Sequence, residues 1–158
     1  MTDAKRELLR HTLATIAYRG GKTLRGAPDP FATFQLSDAA RTPAQIVAHM
    51  GDLFEWALSI AKGNEAWPDS APRPWPGEVE RFFETLSAFD GYLASEAPLA
   101  VTPERLFQGP VADALTHIGQ LALLRRMAGA PIRAENYSRA DIVAGRTGSE
   151  QSAPGREF

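Results

Sequence analysis

Four stretches of this chain carry apolar residues at the spacing of a single helix face, and no alternating, strand-like run is long enough to matter. The first spans about residues 3–25, with Thr2 or Asp3 as its cap. It puts Leu8, Leu9, Thr12, Leu13, Ile16, Ala17, Gly20 and Leu24 on one side. The second has the clearest start: Thr42 caps, Pro43 suits the first helical position, Gln45 completes a capping box, and Gly63 is a natural stop. Its stripe is Ile46, Met50, Leu53, Phe54, Ala57 and Ala61. The third, about residues 78–97, carries Val79, Phe82, Phe83, Leu86, Phe89 and Leu93, and Pro98 stops it. After a short turn that begins at Thr102, Gly109-Pro110 opens the last helix, about residues 110–128. Stripes of this kind leave water only by packing on one another. The expected fold is therefore all-α, a four-helix bundle over residues 3–130 with covering loops and an irregular tail over residues 131–158. At 158 residues the chain suits one domain with a real core and is short for two.

The connections carry signals of their own. Gly20-Gly21 interrupts the first stripe and predicts a bend or a close helix contact. On another face of the same helix, His11, Tyr18 and Arg25 recur every seven residues beside Thr15 and Lys22. That face reads as the solvated side, the alternative being His11 or Tyr18 pointing into a pocket between helices. Residues 26–41 contain Phe31, Phe34 and Leu36 and are expected to fold back over an end of the bundle. Residues 64–77 hold four prolines with Trp67 and Trp75, which suits a linker or lid pinned to the bundle by its tryptophans. The last helix is apolar on two sides. One carries Val111, Leu115, Ile118 and Ala122, the other Asp113, His117, Leu121, Leu124 and Ala128, so it should be surrounded. The tail is polar, with one helical turn expected around residues 139–143.

Composition excludes several classes of function. The formal net charge of −2, with no block of Lys or Arg, argues against electrostatic capture of nucleic acid. There is no cysteine, so a metal would have to be held by nitrogen and oxygen ligands. No apolar run approaches membrane-spanning length, and the first residues are charged without an apolar signal core. The expectation is a cytoplasmic protein.

The candidate site follows from spacing. Asp113 and His117 are four residues apart, which stacks their side chains a turn apart on one helix face and allows both to reach one metal ion. His49 is the natural third ligand, on the shoulder of the second stripe with Trp56 one heptad on. A plainer account stays open: Asp113 as a first-turn carboxylate favoured by the helix dipole, His117 as a hydrogen-bonded core histidine. Asp52 could orient a ligand or simply be exposed. Gln120 could donate near the site or cap a neighbouring helix, and His11 could enter the pocket as a catalytic acid or base.

The run Ala-Gln-Ile-Val-Ala-His49-Met-Gly-Asp-Leu-Phe-Glu-Trp, paired with His117-Ile-Gly-Gln-Leu-Ala-Leu-Leu, resembles the DinB/YfiT-like superfamily. That resemblance implies a largely bacterial four-helix bundle, commonly dimeric, with a metal-dependent activity. It makes His49 the ligand from the second helix and His117 the second ligand from the last. The first ligand position on the last helix, commonly histidine in the family, is Asp113 here. Related mycothiol-dependent maleylpyruvate isomerases have a carboxylate at that place. Zinc or nickel fits the family, and iron(II) fits the ligand set. The implied chemistry is transfer of a low-molecular-weight thiol to a small-molecule substrate, or thiol-assisted isomerisation or hydrolysis. Two rivals remain at this point: a non-catalytic, ligand- or partner-binding bundle with a vestigial site, and a structural homodimer in which the outer face of the last helix matters more than Asp113.

Overall fold

The computed structural model describes residues 3–158, and within them the chain is all-α. Helix α1 is Ala4–Leu24, α2 is Pro43–Lys62, α3 is Trp75–Ala94, α4 is the single turn Pro103–Leu106 and α5 is Ala112–Met127. Short 3-10 turns occupy Asp29–Thr33 and Tyr137–Arg139, and the only pairing of extended backbone among the described residues is an isolated bridge between Glu135 and Glu157. No described helix is long and apolar enough to cross a membrane.

The helix starts obey their capping chemistry. Asp3 accepts from the Lys5 and Arg6 amides at the head of α1, while Thr2, the alternative cap, lies outside the described residues. Thr42 and Gln45 form the capping box of α2, and Gly63 ends it at a φ of 81°, a left-handed conformation that favours glycine. Helix α3 begins three residues earlier than the sequence suggests. Trp75-Pro76 supplies its first turn, where proline's missing N–H costs nothing.

The four long helices share one hydrophobic core. Helix α3 packs on both α1 and α2, and α5 packs on the same two from the other side, so α1 faces α2 across the centre. Leu13, Ile16, Met50, Phe54, Phe82, Phe89 and Leu121 fill that centre. The stripes read from sequence locate it well, with one exception: Leu8 is 67% exposed, and Leu9 takes the inward place. Gly20 marks the close contact its position implied, because a Cβ there would stand 3.1 Å from Phe82 Cζ and 3.5 Å from Ile118 Cδ1. Gly51 makes room of another kind. The Arg81 guanidinium of α3 lies against it, donating to the Ala48 carbonyl, to Asp52 Oδ1 at 2.7 Å and to Glu55 Oε2 at 2.9 Å. Asp52 is thereby committed to the α2–α3 contact rather than to a ligand.

Two sequence expectations change. Gly109-Pro110 does not begin a new helix. The run from Pro103 to Met127 continues through a π-helical turn, Phe107–Val111, which accommodates Pro110 where no N–H is available. The face of α1 read as solvated is so only in part: His11 and Arg25 are exposed, whereas the tail covers Tyr18 and Lys22. Tyr18 donates to Glu135 Oε2 at 2.5 Å, Lys22 donates to Glu135 Oε1 at 2.7 Å and to Glu157 Oε1 at 3.2 Å, and the Arg19 guanidinium lies 4.2 Å from the centre of the Tyr137 ring. The Glu135 side chain has 0% exposure. Tyr18, Arg19 and Lys22 thus form a docking strip for the tail, while His11 and Arg25 on the same side face water.

Removing one partner of such a buried network leaves the others desolvated and uncompensated. Glu135→Ala is expected to cost about 3 kcal/mol in urea unfolding, because Lys22 and Tyr18 lose their common acceptor. Glu104→Ala, which breaks the solvent-exposed pair with Lys5, should leave the midpoint nearly unchanged.

Candidate metal centre

Helix α2 presents His49 and α5 presents Asp113 and His117, and the packing of those two helices brings the three together. One nitrogen of each imidazole and one oxygen of the carboxylate all lie within 4.8 Å of one another, a group able to hold a metal ion. Asp113 Oδ2 is the shared atom, 3.3 Å from His49 Nε2 and 3.4 Å from His117 Nε2. The two rings meet edge to face, with centroids 4.9 Å apart. His117 is buried, His49 is half-buried and the Asp113 side chain is 45% exposed, so the group opens to solvent on the carboxylate side.

Those separations are long for hydrogen bonds between an imidazole and a carboxylate, which run about 2.7–2.9 Å when charge-assisted. They also match the spacing of ligands on one cation. Nitrogen and oxygen donors at about 2.0–2.2 Å from a tetrahedral ion stand roughly 3.3–3.5 Å from each other.

The tautomers point the same way. His117 Nδ1 lies 2.8 Å from Gln120 Oε1, and a carbonyl oxygen can only accept, so Nδ1 carries the proton. In the neutral ring His117 Nε2 then holds a lone pair directed towards a carboxylate oxygen that also holds lone pairs. A cation between them, whether a metal ion or a proton, would bridge the two. This is the arrangement in which a neighbour of a metal-binding histidine fixes its tautomer. Gln120 thus acts at the site and does not cap another helix.

Burial is the main influence on His49, pushing its pKa below the usual 6.5. Asp113 pulls it back up, while the positive charge of Arg41 and the neighbouring His117 push it further down. The neutral, ligating form is favoured at neutral pH.

The π-helical turn decides what Asp113 can do. Because the helix runs unbroken into α5, Asp113 is not at a free helix start, and its side chain caps no backbone N–H. Its close polar neighbours are the two histidines. The capping reading of Asp113 is thereby removed.

Not every candidate joins the group. His11 is exposed on α1, outside the cluster, and the structure does not bring it to the other two histidines. Tyr18 belongs to the tail contact. Sequence reasoning missed two other residues beside the centre. Trp67, from the proline-rich loop, leans on the His49 ring with centroids 5.6 Å apart and on Trp56 at 5.5 Å. It pins the loop to α2, as its composition suggested, and also walls the site. The loop is anchored where the Ala66 amide donates to Ser59 Oγ. The other missed residue is Arg41, which lines a cavity of about 360 Å³ with His49 and another of about 410 Å³ with His117. The second cavity is mostly apolar, with Leu36, Ile46, Leu123 and Leu124 in its wall. No sequence pattern distinguishes Arg41 from any other loop arginine.

Neither family models, curated proteins nor solved structures provide a match to this chain.

The depressed pKa of His49 has a consequence for stability. Above pH 6.5 folded and unfolded chains are both neutral at this ring. As pH falls from 6.5 towards the lower folded value, the unfolded chain takes up the proton first, so stability declines with acidification. Urea unfolding of the metal-free protein between pH 7 and pH 5 should show that decline, and His49→Gln should flatten it. Equal slopes would remove His49 as a source.

Proposed function

We propose that this chain is a metal-dependent enzyme: a DinB/YfiT-like four-helix bundle holding one divalent ion, zinc or nickel ahead of iron(II), between His49, Asp113 and His117. The observation that supports it most is the pair of separations at Asp113 Oδ2, 3.3 and 3.4 Å, which suit neighbours in a coordination shell. Two imidazoles and one carboxylate leave coordination positions free, and an ion there would supply Lewis acidity or hold an incoming thiolate.

The chain's own residues do the rest. Gln120 keeps the proton on His117 Nδ1 and so holds Nε2 ready as a donor. Trp67 covers one side of His49 and reduces access of water to it. The apolar cavity beside His117 accepts the hydrocarbon part of a small substrate. The reaction class comes from the resemblance: transfer of a low-molecular-weight thiol, or thiol-assisted isomerisation or hydrolysis. A cytoplasmic homodimer belongs to the same reading.

Elemental analysis after metal-supplemented expression should give about one ion per chain, and His117→Ala should abolish it. Gln120→Leu should weaken metal affinity roughly 10–100-fold with the fold intact. Substoichiometric metal unaffected by His117→Ala would overturn the reading in favour of a vestigial site. With the metal established, absence of turnover of electrophiles with any thiol would withdraw the reaction class alone.

A further inference from the structure

The cavity of about 360 Å³ that His49 lines is open to solvent and bounded by α2, by the end of the loop before it, by the proline-rich loop and by α3. Its three arginines divide into two kinds. Arg81 is fully engaged, buried against Asp52 and Glu55. Arg41 and Arg73 are exposed, and neither has an ion-pair partner among the described residues. Glu78 supplies a buried carboxylate. Its Oε1 accepts from the Arg73 amide at 2.8 Å, and its Oε2 has no hydrogen-bond partner.

From this juxtaposition we infer that the cavity beside His49 is a subsite for a small organic carboxylate, gripped by the Arg41 and Arg73 guanidiniums while another atom of the same molecule reaches the metal centre. The inference rests on the metal reading and adds the substrate class to it. Two exposed, unpaired guanidiniums line one cavity, and a carboxylate meets a guanidinium through paired, charge-assisted hydrogen bonds. The size of the cavity suits a small molecule, at the lower end of ordinary ligand pockets. Arg41 also borders the apolar cavity next to His117, so the molecule it holds has room for hydrocarbon on that side. Glu78 adds a negative charge to the same wall, which an uncharged ligand would tolerate and an anion must overcome. The two free arginines together outweigh it.

Cobalt(II) in the site offers a direct readout, because thiolate ligation to cobalt gives an intense near-ultraviolet charge-transfer band. The cobalt protein is titrated with mercaptoacetate and with uncharged mercaptoethanol, at the same pH and ionic strength, in the native chain, in Arg41→Gln and in Arg41→Gln/Arg73→Gln. The native protein should bind mercaptoacetate roughly tenfold more tightly than the double variant does, while mercaptoethanol binds all three alike. All three should retain cobalt. A mercaptoacetate affinity that the substitutions leave unchanged overturns the carboxylate subsite while the metal reading stands. Failure to bind cobalt overturns the metal reading instead. The subsite is then judged on the metal-free protein by tryptophan fluorescence with succinate, where a response removed by Arg41→Gln supports it and none overturns it.

Discussion

The side-by-side packing of α2 and α5 is the contact on which the candidate centre depends. His49 belongs to one helix and Asp113 and His117 to the other, so nothing local to either helix can set the distance between them. The apolar centre sets it. Met50 and Phe54 on α2 and Ala114 and Leu121 on α5 are completely or almost completely buried in the same core, which fixes how far each helix can rotate or slide. Gly20 permits α1 to approach Phe82 and Ile118 closely enough to close that core from the opposite side. A bulkier residue would push outward on two helices at once.

Polar groups do a different job from the core: they tie neighbouring elements together at its margin. The Arg81 guanidinium ties α3 to the outer face of α2, and the Glu135 carboxylate ties the tail to α1 through Tyr18 and Lys22. Burial alone would lower the Lys22 pKa, but its two carboxylate partners more than offset that and raise it. A charge can remain in such a place only when its partners come with it. Arg125 follows the same rule with neutral partners, donating to the backbone carbonyls of Thr23 and Ala130, and burial lowers its pKa because no carboxylate compensates.

At the centre, one backbone irregularity has a chemical effect. The π-helical turn that accommodates Pro110 keeps the helix continuous, so Asp113 meets two imidazoles instead of capping a helix start. Helix capping would have occupied its oxygens. Gln120 then fixes the proton on the far side of His117, and Trp67 shields His49. The outcome is a donor set that is rigid on its histidine side and open on its carboxylate side, with two cavities leading away from it.

Much of this was legible in the residues themselves. Four apolar stripes at helical period, the capping box at Thr42 and the stop at Gly63 determine an all-α chain, because each is a local preference acting over a few residues. The four-residue spacing of Asp113 and His117 also determines that both lie on one helix face. Other features needed the tertiary structure. The face of α1 bearing Tyr18 and Lys22 reads as solvated until the tail covers it, and the exposure of His11 depends on packing that no single helix encodes. Trp67 and Arg41 reach the centre from irregular loops whose paths carry no periodic signal. Local chemistry decided that four long helices form and where several of them begin and end, whereas only the folded core could decide which side chains separated by more than sixty residues would meet.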